Sequence, residues 1–200
     1  MRVAIIEYNA GNIYSVVHAL KRLGVEAVLT RDKDVISSAD RVLFPGQGEA
    51  GTTMKALRET GLDALIPDLR QPVLGICIGM QLMCEHSEES NANCLGIFPG
   101  ISVKRFTTGN AEDKVPQMGW NTVTGLKTPL FNQINDGAYL YYIHSYYVPQ
   151  NEFTIATTHY AGTDYSAAIK RDNFMAVQFH PEKSGKVGEQ LLKNFLEEKF

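Results

Sequence analysis

The stretch Val73–Gln81, VLGICIGMQ, decides the fold. An apolar strand pattern ends at Cys77, and a helical pattern begins at once. Gly75 and Gly79 stand two positions before and after the cysteine, where a sharp strand-to-helix turn leaves no room for side chains. Such a turn exposes the sulfur at the carboxyl end of a parallel sheet, where open α/β folds bind ligands. The stretch predicts a reactive Cys77 in an α/β fold, and a small packed cysteine is the alternative.

The chain on either side of this turn alternates strands and helices. Apolar strands are predicted at Val3–Ile6, Val25–Leu29, Arg41–Phe44 and Val73–Ile76. Helices are predicted at Tyr14–Leu23, Thr52–Glu59 and Gly188–Lys199. Residues 101–169 alternate aromatic and β-branched residues between turns, which is typical of mixed or antiparallel strands. We predict one α/β domain, residues 1–200, with a mostly parallel central sheet, helices on both faces and an added antiparallel portion.

Composition limits the partners and the compartment. The net charge of −3 gives no electrostatic reason to expect nucleic acid or a membrane surface as partner. No apolar run approaches the roughly 20 residues that span a bilayer. The odd count of three cysteines, without CxxC spacing, favours reduced thiols and a cytoplasmic protein. Cys84 and Cys94 lack the setting of Cys77 and are interpreted as packing or incidental residues.

A second motif, Phe179-His180-Pro181-Glu182, follows the predicted strand Met175–Phe179 and offers a base with its orienting acid. Proline favours an extended backbone at the preceding residue, and side chains two apart on an extended segment point the same way. Glu182 is therefore expected to accept from one ring nitrogen of His180 while the other faces Cys77. Either residue alone fits a structural role, but with the turn they predict a Cys77–His180–Glu182 triad.

Pro45-Gly46-Gln47-Gly48 also follows a strand and should share the sheet edge with Cys77. Its glycines would let the backbone present an N–H to an oxyanion, although a plain strand-to-helix loop is the alternative. The other histidines have no carboxylate at matching spacing and form no metal-like pair: His18, His86, His144 and His159. We predict no metal and no cofactor.

The turn and the His-Pro-Glu motif resemble those of class I (triad) glutamine amidotransferases. Further segments are similar to the glutaminase subunits of imidazole glycerol phosphate synthases: Tyr8-Asn9-Ala10-Gly11-Asn12, Pro45-Gly46-Gln47-Gly48, Pro116-Gln117-Met118-Gly119-Trp120-Asn121, His144-Ser145-Tyr146 and His180-Pro181-Glu182-Lys183-Ser184-Gly185. The segments run in order from residue 1 to the C-terminal helix. The resemblance implies that Cys77 attacks the side-chain amide of L-glutamine, giving a glutamyl thioester and ammonia, with His180 as base and then acid.

The resemblance also implies roles outside the triad. The N–H groups of Ile78 and Gln47 would form the oxyanion hole. Gly48 would line the pocket, and the amino-acid end of glutamine would be held by Gln81, Glu89, Ser145 and Tyr146. Ammonia would pass to a (β/α)8-barrel cyclase that forms a heterodimer with this chain in histidine biosynthesis. The interface would include Asn12, Trp120, Asn121 and Lys183.

Two departures from the family pattern lie near the site. Glu7-Tyr8-Asn9 stands where the family usually has Asp-Tyr-Gly, and Gln47 replaces a small apolar residue. Neither change touches the triad. The Gly46–Gln47 peptide is expected to turn its N–H toward or away from the oxyanion, which predicts low activity without the partner.

Three alternatives stay open at this point. The chain could serve another ammonia-channelling synthase, such as the pyridoxal phosphate or anthranilate systems, although the segment Met118–Asn121 argues against these. A non-catalytic docking subunit of the same fold predicts a broken triad, and here the triad is complete. A cysteine hydrolase acting on peptides shares the turn at Cys77, but little in the sequence suggests an extended peptide groove.

Overall fold

The computed structural model describes residues 1–8, 13–107 and 113–198. The strands within these ranges are β1 (Val3–Ile6), β2 (Ala27–Thr30), β3 (Arg41–Gly46), β4 (Val73–Cys77), β5 (Cys84–Ser87), β6 (Ala92–Asn93), β7 (Phe98–Arg105), β8 (Gln117–Val123), β9 (Ala138–His144), β10 (Tyr146–Tyr147), β11 (Thr154–Tyr160), β12 (Thr163–Arg171) and β13 (Phe174–Val177). The helices there are α1 (Ile13–Arg22), α2 (Lys33–Ser37), α3 (Ala50–Thr60), α4 (Leu62–Asp68), α5 (Ile78–Met83) and α6 (Gly185–Glu197).

The central sheet has the order β11-β12-β13-β4-β3-β1-β2. The run from β13 to β2 is parallel, whereas β11 and β12 are antiparallel additions at one edge. Two smaller groups stand beside it, one of β10, β7, β5 and β6 and the other of β8 paired antiparallel with β9. Because β3, β4 and β13 are parallel neighbours, their carboxyl ends lie side by side. The predicted α/β fold, with its mostly parallel sheet and antiparallel portion, is confirmed.

Helices cover both faces of the sheet. Along β4, Leu74 packs with α1 and α6 on one face, while Val73 packs with α2 to α5 on the other. Both faces are therefore apolar, which is why the strands read as continuous apolar runs. Each fully buried leucine or valine contributes roughly 1.5–3 kcal/mol relative to an exposed one.

The predicted elements differ from the observed ones mainly at their ends. The strand predicted at Val25–Leu29 lies at Ala27–Thr30, and the C-terminal helix begins three residues earlier than predicted, at Gly185. The strand predicted to reach Phe179 ends at Val177.

Two short helices were not predicted. Helix α2 has five residues, too few for a visible apolar period, and it is started by the Asp32 side chain accepting from the N–H groups of Asp34 and Val35. Helix α4 contains Pro67, a residue that argues against a helix interior. Neither helix contributes a residue to the pocket around Cys77, so these omissions leave the site prediction unaffected.

Candidate active site

Cys77 ends β4 at the turn into α5, as the sequence predicted. Its backbone is strained, with φ 56° and ψ −109°, a conformation that costs a non-glycine residue about 1–3 kcal/mol. The turn is tight because a Cβ on Gly79 would overlap the carbonyl oxygen of Phe44, and one on Gly75 would lie 3.0 Å from the Gly79 backbone. The close packing of these backbones therefore holds Cys77 in its strained conformation.

His180 lies just beyond β13, the strand next to β4, and its backbone is extended. The following turn, Pro181–Lys183, places Oε1 of Glu182 at 2.8 Å from Nδ1 of His180. The N–H of His180 donates to the carbonyl of Tyr141 at 2.8 Å, and its own carbonyl accepts from the hydroxyl of Ser184 at 2.6 Å. The side chains of His180 and Glu182 are only 2% and 3% exposed, so solvent screens this pair little.

The two neighbours of His180 decide its protonation. Burial by itself lowers the pKa of His180, but Cys77 and Glu182 outweigh burial and raise it to about 10. The imidazole therefore holds its proton at neutral pH when Cys77 is a thiolate. Its Nε2, on the Cys77 side, is buried and has no hydrogen-bond partner among the described residues. This nitrogen is placed to exchange a proton with a group that reacts at the sulfur.

A cleft of about 260 Å³ opens over Cys77. It is lined by all seven residues that the resemblance assigns to the oxyanion hole and the substrate: Gln47, Gly48, Ile78, Gln81, Glu89, Ser145 and Tyr146. Three further lining residues were not predicted: Pro116, Ile143 and His144. The cleft is smaller than the roughly 300–1,000 Å³ typical of drug-sized ligands, which suits a single amino acid.

Glu89 brings a negative charge to the cleft. Its Oε2 accepts from the N–H of Ala50, at the start of α3, at 2.8 Å. Burial, and to a smaller degree the charge of Glu49, raises the pKa of Glu89, although the hydrogen bond from Ala50 opposes them. A half-buried carboxylate of this kind gains free energy when a cation approaches. Glu89 is thus suited to an α-ammonium group.

Gln81 uses its donors inside the protein. Its Nε2 donates to the carbonyl of Tyr146 at 2.9 Å and to Oε1 of Gln178 at 3.0 Å. Both N–H groups of the amide are then engaged, and Oε1 of Gln81 is the atom left to accept from a ligand.

The loop after β3 carries Gln47 beside the sulfur, since Gly46 pairs in register with Cys77. A Cβ on Gly46 would overlap the hydroxyl of Tyr8 and lie 2.6 Å from the side chain of Ile78. That hydroxyl is buried and donates to the carbonyl of Pro45 at 2.7 Å. These contacts leave no room for a side chain at position 46, which therefore requires glycine. Sequence reasoning gave Tyr8 no role, although an aromatic residue just beyond β1 points to this edge.

His144 forms part of the wall of the cleft. Its Nδ1–H donates to the carbonyl of Tyr146 at 2.7 Å, and its Nε2 lies 3.3 Å from the hydroxyl of Tyr165. Tyr165 in turn donates to Oε1 of Gln117 at 2.8 Å. Burial first, and the nearby His180 in addition, lower the pKa of His144 to about 4, although the bond to Tyr146 opposes this. His144 is therefore neutral at physiological pH.

The other two cysteines do not line the cleft, which agrees with their interpretation as packing or incidental residues. All three cysteines are free, Cys84 is fully buried, and burial raises the pKa of both the Cys84 and the Cys94 thiols, the latter to about 11. Across residues 1–8, 13–107 and 113–198 we find no cluster of side chains suited to a metal ion. No helix in those ranges is both long enough and apolar enough to cross a membrane.

Three of the four residues predicted at a partner interface are described, and Asn12 lies outside the described residues. Trp120 is 56% exposed on β8, with its ring 6.0 Å from that of Tyr141 on β9 in an edge-to-face arrangement. The Lys183 ammonium lies 5.9 Å from the centre of the same Tyr141 ring. Asn121 donates to the carbonyl of His159 at 2.9 Å. The sequence prediction did not include Tyr141, which lies between Trp120 and Lys183. Two further residues are exposed on the same face of the β8–β9 pair: Met118 and Tyr139.

Known proteins share both the sequence and the fold. The family model "Glutamine amidotransferase class-I" matches residues 4–199. Imidazole glycerol phosphate synthase subunit HisH of Bacteroides fragilis (strain YCH46) is 60% identical over 98% of this chain and all of its own. The protein of the same name from Bacteroides thetaiotaomicron is 59% identical over the same shares.

Solved structures agree on the fold. A structure described as a glutamine amidotransferase has a TM-score of 0.73 at 21% identity, covering 98% of this chain and 97% of its own. A chain in the structure of PurLQS from Thermotoga maritima has a TM-score of 0.70 at 16% identity, covering 98% and 97%. With the family model matched over nearly the whole length, the chain belongs to the class I glutamine amidotransferases.

Proposed function

We propose that the cleft hydrolyses L-glutamine through a Cys77–His180–Glu182 triad and passes the ammonia to a (β/α)8-barrel cyclase. The observation that carries the proposal is the strained turn at Cys77 next to a buried His180–Glu182 pair. A nucleophile, a base and an orienting acid then stand in sequence at one sheet edge.

The chain functions as a glutaminase subunit of an imidazole glycerol phosphate synthase. This function is supported by the family and by an identity of 59–60% to subunits of that synthase over the whole chain. L-glutamine is its substrate, and a second subunit completes the synthase. We also propose that the protein acts in the cytoplasm and that residues 1–200 form a single domain.

The first half of the reaction forms a thioester. The Cys77 thiolate attacks the side-chain carbonyl carbon of glutamine, and the carbonyl π electrons move to the oxygen. The N–H groups of Ile78 and Gln47 stabilise that oxyanion. Its collapse breaks the C–N bond, and His180 gives its Nε2 proton to the nitrogen, which leaves as ammonia.

The second half restores the enzyme. Neutral His180 takes a proton from water, and the resulting hydroxide attacks the thioester carbon. The second oxyanion collapses, the C–S bond breaks, and its electron pair returns to Cys77 as thiolate. Glu182 holds the imidazole orientation through both halves and stabilises its charged form.

The rest of the cleft holds the amino-acid end of glutamine. In our proposal the Glu89 carboxylate and Oε1 of Gln81 receive the α-ammonium group. The loop containing Ser145 and Tyr146 contacts the α-carboxylate, and Gly48 leaves room on the opposite wall.

The cyclase is proposed to dock on the face of β8 and β9 to form a heterodimer. Exposed Trp120 and the stacked pair of Lys183 and Tyr141 are the anchors there. The resemblance assigns Asn121 and Asn12 to the same interface. Because Tyr141 also accepts from the N–H of His180, this face is continuous with the triad. We propose that docking turns the Gly46–Gln47 peptide so that its N–H faces the oxyanion.

The test is glutamate release from L-glutamine by the chain alone and with a barrel cyclase plus its nucleotide ligand. We expect strong stimulation by the liganded partner. The Cys77→Ala variant should bind the partner as tightly as the wild type and release no glutamate. Turnover by Cys77→Ala would contradict the triad. Equal activity with and without the partner would contradict the turning peptide and the choice of cyclase.

A further inference from the structure

Gln178 is buried in the site without a part in the triad mechanism. It follows β13 directly, between Val177 and the triad residue His180, and its side chain is 0% exposed. Its backbone N–H continues the pairing with β12 by donating to the carbonyl of Ala167 at 2.8 Å. Side chains alternate along extended chain, so Gln178 points to the face opposite Val177, where α5 packs.

The Gln178 amide connects the catalytic sulfur to the substrate loop. Its Nε2 lies 3.7 Å from Sγ of Cys77, and its Oε1 accepts from Nε2 of Gln81 at 3.0 Å. The same Gln81 nitrogen donates to the carbonyl of Tyr146, in the wall of the cleft, at 2.9 Å. A continuous chain of hydrogen bonds thus runs from the cleft wall to the sulfur.

The direction of this chain follows from its first member. The Tyr146 carbonyl only accepts, so the Gln81 atom facing it is the nitrogen. That nitrogen also faces Gln178, so the Gln178 atom facing it is the oxygen. The nitrogen of Gln178 is then left facing Cys77, and the contact with the sulfur is an N–H donation. Both amide orientations are fixed by a backbone carbonyl, without reference to the sulfur.

We propose that Gln178 is a catalytic residue that donates an amide N–H to the Cys77 sulfur whenever the sulfur is negatively charged; this proposal rests on the glutaminase function proposed above. A hydrogen bond to a charged acceptor is roughly twice as strong as one to a neutral acceptor. The thiolate gains this bond before attack, and the thioester, whose sulfur is neutral, largely loses it.

The donor acts on the step that breaks the thioester. When the second oxyanion collapses, the C–S bond breaks and the electron pair returns to Sγ, while His180 already holds the proton taken from water. Negative charge therefore develops on the sulfur, where the imidazolium and the Gln178 N–H can both stabilise it. The donor also favours one position of the sulfur, because the hydrogen bond from Gln81 holds the Gln178 amide in place.

A purely structural role for Gln178 makes a different prediction. In that case the amide serves only to satisfy Gln81, and removing it lowers stability without changing chemistry at the sulfur. Two measurements distinguish the roles. One is the rate at which the sulfur is alkylated, and the other is whether a loss of activity appears in kcat or in KM.

Gln178→Met removes the donor and keeps the length of the side chain. We expect kcat for glutamate release with the liganded partner to fall about tenfold or more while KM changes little. Iodoacetamide labelling of Cys77, followed by mass spectrometry, should slow by a similar factor. Gln178→Glu keeps the acceptor for Gln81 and places an oxygen at the sulfur, so its labelling should slow further above about pH 8.

Asn194→Leu is the matched control, because Asn194 is a buried amide on α6 whose Nδ2 donates only to Leu130 and Asn132 carbonyls. It should lower the melting temperature and leave both rates unchanged. If folded Gln178→Met or Gln178→Glu keeps wild-type kcat and labelling rate, Gln178 is structural and the proposal is wrong. Labelling needs no turnover, so a wild type without glutaminase activity would refute the proposed function and still leave Gln178 tested.

Discussion

The buried imidazole of His144 should make the protein less stable as the pH falls below neutral. In the folded chain burial and the nearby His180 hold the pKa of His144 at about 4, against an ordinary value of 6.5. Between these two values the unfolded chain binds a proton at His144 that the folded chain does not. Stability therefore rises with pH across this window and falls when the pH is lowered through it.

The size of the loss follows from the two pKa values of His144. The full difference corresponds to about 3 kcal/mol, and about 2 kcal/mol of it is already lost at pH 5. For a domain of this length, about 2 kcal/mol lowers the melting temperature by roughly 4–8 °C. His180, with its raised pKa, contributes stability that is complete below pH 6.5 and is lost as the pH rises toward about 10, so its effect falls outside the window.

The assay is urea unfolding at pH values from about 7.5 to 4.5, followed by circular dichroism. His144→Asn keeps an N–H for the Tyr146 carbonyl and cannot titrate, so it should show about 2 kcal/mol less loss between pH 7 and 5 than the wild type. His159→Gln is the control for replacing a histidine at an exposed position, and it should not reproduce the change seen in His144→Asn. Parallel curves for His144→Asn and the wild type would refute a neutral, buried His144.

Three further changes test other parts of the site. Glu182→Gln keeps a hydrogen-bond acceptor for His180 but removes the charge, so kcat for glutamate release should fall on the order of 10²–10⁴-fold with the fold intact by circular dichroism; an unchanged kcat would contradict the orienting role. Gly79→Ala pushes a methyl group into the Phe44 carbonyl, and we expect more than about 3 kcal/mol loss of unfolding free energy in the same urea assay. Trp120→Ala should weaken binding to the cyclase by about 30-fold or more in calorimetric titration, whereas Val28→Ala, on the distant edge strand β2, should not.

Local patterns account for the part of the site that the sequence predicted. The turn at Cys77 is visible because its glycines and its change from strand to helix pattern are neighbours in the chain. The spacing of His180 and Glu182 is equally local, since the proline between them fixes the backbone. The order of the strands then brings these two motifs together, because β4 and β13 are parallel neighbours.

The residues that sequence reasoning missed act through distant contacts. Tyr8 touches Pro45 across 37 positions and Gln178 touches Cys77 across 101. No sequence spacing predicts such contacts. From the sequence, a glutamine just after a strand cannot be distinguished from an ordinary exposed polar residue. His144 was considered and given no role for the same reason, because its neutral state comes from burial against residues distant in sequence, such as Phe106 and Tyr165.

Two neighbouring buried histidines, which lie at or just beyond the ends of strands from different sheets, are thus given opposite protonation by their surroundings. His144 meets a carbonyl and a phenol, neither of which carries a charge, so burial keeps it neutral. His180 meets the Glu182 carboxylate and the Cys77 sulfur, and these two groups keep it charged although burial by itself lowers its pKa. Apart from His180 and Glu182, the buried polar side chains within the described ranges are uncharged, including Gln81 and Gln178. Among the buried groups, the imidazolium and the N–H donors are therefore the ones that respond to negative charge at the sulfur, and those are the groups that an attacking thiolate and its oxyanion require.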